Sequence, residues 1–362
     1  MNAKGYVLEG IDQLNYKEFE LRPLKPGEAL VDVQAAGICG SDIPRIFITG
    51  TYHFPTIPGH EFAGRVVDVY EGEDSGWIGK RVGVFPLIPC KECEPCHEQK
   101  YEMCEHYSYL GSRTDGGFAE YCIVPIWNLI ELPENVDYDQ AAMMEPAAVA
   151  LHAVRRLGLD PLESNPPTSD LKVLVMGLGT IGGIIAQWLS LCKIKNVVAT
   201  GHHLEQGDLM WLTADENYRF IKTAGYTSAI DAAKEVGETL EENSFDMILD
   251  CVNTPDSLQD ALRLIKPAGK IVEVGNPKGD MHLQKDIYWK ILRKQVVLTG
   301  TWNSSYCHQT TDDWNVVASY LSQGKLQLTP LITHRMQFEE LGKGLEIMRN
   351  RADFCNKVMI QK

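Results

Sequence analysis

The chain has 362 residues, of which 44% are hydrophobic and 23% charged, with a formal net charge of −15. Its length admits two domains with separate cores, and its composition is that of an ordinary globular protein. The acidic balance argues against nucleic acid or an anionic membrane as partner, since either would want a basic face, so an anionic small molecule must be met by local basic residues.

The N-terminal MNAKGYVLEG has no apolar core of the length a secretory signal needs. Residues 1 to about 36 alternate apolar and polar positions, and EFAGRVVDVY and KRVGVFPLI are β-branched and punctuated by glycine, which predicts a β-rich first domain to about residue 130. Within it, GICGSDIPRIFITGTYHFPTIPGHE brings Cys39 and His60 into one short segment. One thiolate and one imidazole suit a catalytic zinc, which takes three protein ligands and keeps one position open. The third ligand is either Glu61, directly after His60, or Glu145, which Pro146 places in the first turn of a helix. Ser41, two residues past Cys39, is a candidate to pass a proton.

Ten cysteines with no secretory signal point to metal ligation in a reducing cytoplasm rather than to a disulfide scaffold. Cys90, Cys93, Cys96 and Cys104 form the tight set PCKECEPCHEQKYEMC, whose spacing closes a tetrahedral sulfur cage around a structural zinc. A redox pair or an iron–sulfur cluster also uses close cysteines, but neither the thioredoxin-like context nor the cluster's cysteine-proline pattern is present. Cys122, Cys192, Cys251, Cys307 and Cys355 are scattered and read as small core residues.

After a helical stretch through LHAVRRLG, the turn-rich DPLESNPPTSD at 160–170 reads as a linker. The apolar run from Val173 carries four glycines, which suits a strand, a turn and a helix better than a membrane span. Gly177, Gly179 and Gly182, with Thr180 and Ile181 between the last two, form G-x-G-x-x-G between that strand and helix, followed by the strand NVVAT. This is the dinucleotide-binding context, with the helix N-terminus receiving the pyrophosphate. At the end of the second strand, where an acid usually holds the ribose of NAD, the chain reads Gly201-His202-His203; His202 or His203 is placed to hydrogen-bond a ribose phosphate, so both NAD and NADP stay open. The strands FDMILDCVN and GKIVEVGN continue a doubly wound sheet, while 204–216 is longer than a βα connection needs and has no assignment. From about residue 299 short strands return, giving expected domains at 1–155 and 156–299 and a return segment at 300–362.

Taken together, Cys39 with His60, the four-cysteine loop, the Glu-Pro at 145 and the glycine fingerprint resemble the zinc-containing medium-chain dehydrogenases. GICGSDIPRIF, GHEFAG, PLIPC, GSRTDGGFAEY, ILRKQVVLTGTW and SYLSQGKLQLTPLITHR are similar to that family's sorbitol-dehydrogenase branch. The resemblance implies an α/β fold, a β-rich GroES-like catalytic domain plus a Rossmann doubly wound parallel sheet. It implies catalytic zinc on Cys39, His60 and Glu145, with Ser41 and Glu61 in catalytic roles, and structural zinc on Cys90, Cys93, Cys96 and Cys104, two zinc ions per chain. The reaction it implies is oxidation of a sugar-alcohol phosphate to a ketose phosphate with NAD or NADP, in a cytoplasmic homo-oligomer, dimer or tetramer. An unphosphorylated polyol, threonine and a non-catalytic nucleotide-binding role are the alternatives. Gly201 departs from the branch, which normally carries Asp there. For the phosphate, Arg45 and Arg113 are the first candidates, followed by Arg293 with Lys294 and the loop 303–306.

Overall fold

The computed structural model describes residues 1–362 apart from 74, 164–169, 278 and 351–353, so most of the proline-rich linker at 160–170 lies outside the described residues. The chain divides into two compact units, one formed by 1–148 with 304–362 and the other by 149–303.

The first unit is built on the strand Glu28–Ile38, whose alternation buries Val31 and Val33 and makes it the hub of a seven-stranded sheet. It pairs antiparallel with Glu61–Val69, with Gly37 opposite Glu61. It also pairs with the C-terminal strand Lys357–Gln361, where Val358 faces Ile38, and with Tyr121–Pro125. Val31, Ile38, Phe62, Val82, Phe118 and Val358 form the centre of one apolar core. The four-cysteine loop hangs between the paired strands Leu87–Ile88 and Ser108–Tyr109.

The second unit is a six-stranded parallel sheet in the order Arg219–Lys222, Asn196–Gly201, Lys172–Met176, Phe245–Asp250, Ile265–Glu273, Val297–Gly300. In chain order that is 3-2-1-4-5-6, the doubly wound nucleotide-binding arrangement, with helices supplying the crossovers between parallel neighbours. The stretch left without assignment at 204–216 is one of these crossovers, the helix Leu204–Thr213. Its sequence conceals it because Leu204, Trp211 and Leu212 point outward while only Gly207, Met210 and Thr213 are buried, so no apolar stripe marks a helical period. Among the described residues no helix is long and apolar enough to cross a membrane.

Candidate active site

Two neighbouring strands deliver the candidate metal-binding groups. Cys39 follows the end of Glu28–Ile38, and His60 and Glu61 stand at the start of Glu61–Val69, so the register that pairs Gly37 with Glu61 brings all three together. Their ligand atoms lie within 4.8 Å of one another. Glycine is needed at 37, since a Cβ there would lie 2.5 Å from Oε2 of Glu61. Asp42, fully buried, accepts the Cys39 N–H at 2.9 Å, and its other oxygen faces Nδ1 of His60 at 3.4 Å. That approach is close enough for charge attraction but not aligned as a hydrogen bond, and both atoms lack a hydrogen-bond partner. Lys357, from the C-terminal strand, pairs with Glu61 at 2.5 Å and donates to the Ile38 carbonyl at 3.2 Å.

Around this group, the Ser41 hydroxyl donates to the Cys39 sulfur at 3.3 Å and accepts from Arg45 at 3.2 Å. Glu145 is buried and accepts from the Tyr109 hydroxyl at 3.4 Å, while the Tyr109 ring lies 5.7 Å from that of His60. Burial, reinforced by the Glu61 charge, pushes the Glu145 carboxyl up to about 7 against the pull of His60 and Lys357. Burial opposes charge on His60, yet Asp42 and Cys39 outweigh it and hold the imidazole well above its ordinary range. The chain's own anions thus favour a positive charge at His60. A divalent cation supplies that charge and leaves the imidazole neutral to ligate, and one sulfur, one nitrogen and a carboxylate form a donor set that fits zinc.

The second set fits zinc on distance. The Cys90 and Cys96 sulfurs are 4.0 Å apart and those of Cys93 and Cys104 are 3.8 Å apart. Four sulfurs about 2.3 Å from a zinc stand about 3.8 Å from one another at the corners of a tetrahedron, whereas a disulfide needs about 2 Å. The backbone N–H of Glu92 draws the Cys90 thiol down to about 6, toward the thiolate that a metal requires.

In the second unit, Gly177 adopts φ +90, and the N–H groups of Gly177 and Leu178 both donate to the Thr200 carbonyl. A Cβ on Gly182 would lie 2.0 Å from the Gly177 carbonyl, so the helix can start this close to the strand only with glycine there. Gly179 caps the helix Thr180–Leu191, of which Thr180 and Ile181 are the first residues, and the space where its Cβ would stand is open. A helix N-terminus that opens on such a glycine turn is the kind of end that receives an anion.

Residues 25–134 match the Alcohol dehydrogenase GroES-like domain family, and residues 180–322 match the Zinc-binding dehydrogenase family. Galactitol 1-phosphate 5-dehydrogenase of Escherichia coli K12 is 32% identical over 325 residues, covering 89% of this chain and 90% of its own. The crystal structure of galactitol-1-phosphate dehydrogenase from Escherichia coli matches with a TM-score of 0.84 at 30% identity, covering 99% of this chain and 100% of that one. The RspB alcohol dehydrogenase from E. coli CFT073, complexed with NADH, matches with a TM-score of 0.84 at 29% identity, covering 100% of this chain and 99% of that one. The chain belongs to the zinc-containing medium-chain alcohol dehydrogenase family. It is an NAD(P)-dependent oxidoreductase with the family's GroES-like and Rossmann architecture.

The basic residues singled out in the dehydrogenase's sequence separate by environment. Arg45 reaches Ser41 at the metal-binding group, and its side chain is 28% exposed. Arg113 is stacked between the rings of Tyr52 and Tyr107, 4.1 and 4.5 Å away. Tyr107 in turn meets Tyr109 edge-on at 6.3 Å, so a row of rings leads from Arg113 to His60. Arg293 lies over Trp289 on the helix Lys285–Lys294. Lys294 is buried and donates to the carbonyls of Leu262, Arg263 and Ile265, so it closes the end of the helix Pro255–Leu264 and is not available to a ligand.

Sequence reasoning missed three groups in the dehydrogenase's site: Asp42, Tyr109 and Lys357. Asp42 stood in plain view beside Ser41, and a buried acid facing a ligand histidine is a standard way to orient the ring. Lys357 carries no local signal, because only the pairing of the C-terminal strand with Glu28–Ile38 brings it to Glu61.

Proposed function

We propose that the dehydrogenase oxidises a secondary alcohol of a sugar-alcohol phosphate, of the galactitol 1-phosphate to tagatose 6-phosphate kind. The observation that carries this reading is Arg45, a partly exposed guanidinium one hydroxyl removed from the Cys39 thiol. The 32% identity to a relative named for that reaction supports it. Cys39 and His60 would hold a zinc, which would supply a Lewis acid to lower the pKa of the substrate hydroxyl. Ser41, held between Arg45 and Cys39, is placed to accept the hydroxyl proton as it releases its own toward solvent, and a nicotinamide bound at the glycine turn would supply the hydride acceptor. Asp42 fixes the His60 ring. Glu61, held by Lys357, completes the converging ligand atoms, and Glu145, held by Tyr109, is the alternative third ligand. Zinc content of Glu61→Gln and Glu145→Gln separates the two.

The decisive experiment is the ratio of kcat/KM for galactitol 1-phosphate against galactitol, sorbitol and threonine, repeated with Arg45→Ala and Arg113→Ala. One charge-assisted bond to phosphate contributes about 1.5 to 3 kcal/mol, so the ratio should be roughly ten to a hundred and should fall in Arg45→Ala. A ratio near one would leave a general polyol dehydrogenase.

We also propose a cytoplasmic homo-oligomer. The edge strand Val297–Gly300 leaves Val297 and Leu298 50% and 38% exposed, and the preceding helix exposes Tyr288, Trp289 and Leu292, more apolar surface than a monomer comfortably presents to water. Sedimentation showing a monomer at micromolar concentration would refute this.

A further inference from the structure

The second strand of the nucleotide unit, Asn196–Gly201, ends without an acidic side chain. A carboxylate at that point favours NAD, because it accepts the hydrogens of the adenosine ribose hydroxyls and repels a 2′-phosphate. The space its side chain would take is filled. A Cβ on Gly201 would lie 2.5 Å from Oε1 of Gln206 and 3.0 Å from the Phe220 ring. Gln206 is fixed there by its own helix. Its Oε1 accepts the His203 backbone N–H at 3.0 Å and closes a capping box at the start of Leu204–Thr213. The next residue, Gly207, brings that helix close to the neighbouring strand, since a Cβ on it would lie 2.8 Å from Phe220.

A backbone N–H must face an acceptor, so the amide oxygen is turned toward His203 and Nε2 is turned away from it. We propose that Gln206 reads the adenosine ribose in place of the strand-end acid, its Nε2–H donating to the 2′ oxygen whether that oxygen is a hydroxyl or bears a phosphate. A neutral donor does not repel phosphate, and it gives the ribose hydroxyls less than a carboxylate accepting both hydrogens. The dehydrogenase therefore takes NAD and NADP with comparable affinity. This rests on the family's use of nicotinamide nucleotides and is independent of which alcohol is oxidised.

The test is equilibrium titration of the zinc-loaded enzyme with NADH and with NADPH, followed by quenching of tryptophan fluorescence, in wild type and in Gln206→Glu. Glutamate is a normal third residue of a capping box, so this variant keeps the acceptor for the His203 N–H while replacing the Nε2–H donor with a charged acceptor. Wild-type Kd values should lie within tenfold of each other, and Gln206→Glu should raise the ratio of the NADPH Kd to the NADH Kd at least fivefold with Tm unchanged. A wild-type preference above tenfold, or a shift below fivefold, overturns the inference. Should the charged variant fold poorly, Gln206→Met supplies the second arm: both affinities fall by similar factors, and unchanged affinities would refute a contact with the ribose. If wild type binds neither nucleotide, this inference falls with the nucleotide dependence itself, while the substrate panel still judges the choice of alcohol.

Discussion

Glu273 ends the fifth strand of the parallel sheet, directly beside Asp250 on the fourth. Asp250 is well supplied, accepting from the Ser257 hydroxyl at 2.6 Å and from the N–H groups of Val252 and Asn253 at 2.9 and 3.0 Å. Neither oxygen of Glu273 has a hydrogen-bond partner, and both are buried. Burial first, and the Asp250 charge second, push the Glu273 carboxyl up to about 8 from an ordinary 4.5. The folded state therefore binds a proton between these values that the unfolded state has already released, so the contribution of Glu273 to stability is full below pH 4.5 and is lost as pH rises through the window. At about 1.4 kcal/mol per pH unit the ceiling of that loss is about 5 kcal/mol, complete near pH 8. Glu273→Gln has no proton to lose. Urea unfolding of wild type and variant at pH 5, 6.5 and 8 should show the variant gaining on wild type by roughly 2 to 4 kcal/mol across the series. Parallel pH curves would show that Glu273 ionises freely in the folded protein and would refute the argument.

Cys93→Ser should remove one of two zinc ions and lower Tm while leaving kcat close to wild type, and metal analysis that finds a single zinc in fully active wild type would contradict it. Lys357→Met should cost about 3 to 5 kcal/mol, because it strands the buried Glu61 carboxylate, and adding Glu61→Gln should recover much of that in a double-mutant cycle. Lys294→Met should cost about 2 to 4 kcal/mol through the three carbonyls it releases, with kcat/KM unchanged, whereas Arg293→Ala on the surface should stay within about 0.5 kcal/mol. Thermal and urea unfolding separate these outcomes.

What the residues disclosed in advance was whatever depends on short spacing. Gly177, Gly179 and Gly182 had to lie between a strand and a helix, because only that turn needs three glycines so placed, and the helix Thr180–Leu191 starts at Gly179. The four cysteines converge because their spacing leaves the loop little else to do. What stayed hidden depends on pairings across the chain or on helices without a stripe. Lys357 meets Glu61 across 296 residues of sequence. Leu204–Thr213 has the capping residues of a helix but not its apolar period, so pattern alone passed over it. At Gly201 the missing acid was legible, but the amide standing in its space was not, since Gln206 reaches it only through the fold of its own helix turn.

Because the strand Lys357–Gln361 carries the lysine that holds Glu61, the order of synthesis separates the two halves of the enzyme in time. Every strand of the nucleotide-binding sheet has been made once residue 300 is reached, whereas the catalytic unit still waits for its last strand. At ribosomal speeds of about 5 to 20 residues per second, that interval is roughly 3 to 12 s. A nascent chain should thus be able to hold its nucleotide before Glu61 meets Lys357. Ribosome-bound chains stalled just short of Lys357 should bind NADH yet retain zinc only at the four-cysteine loop, and stalled chains carrying both zinc ions would show that the last strand is not needed to finish the site.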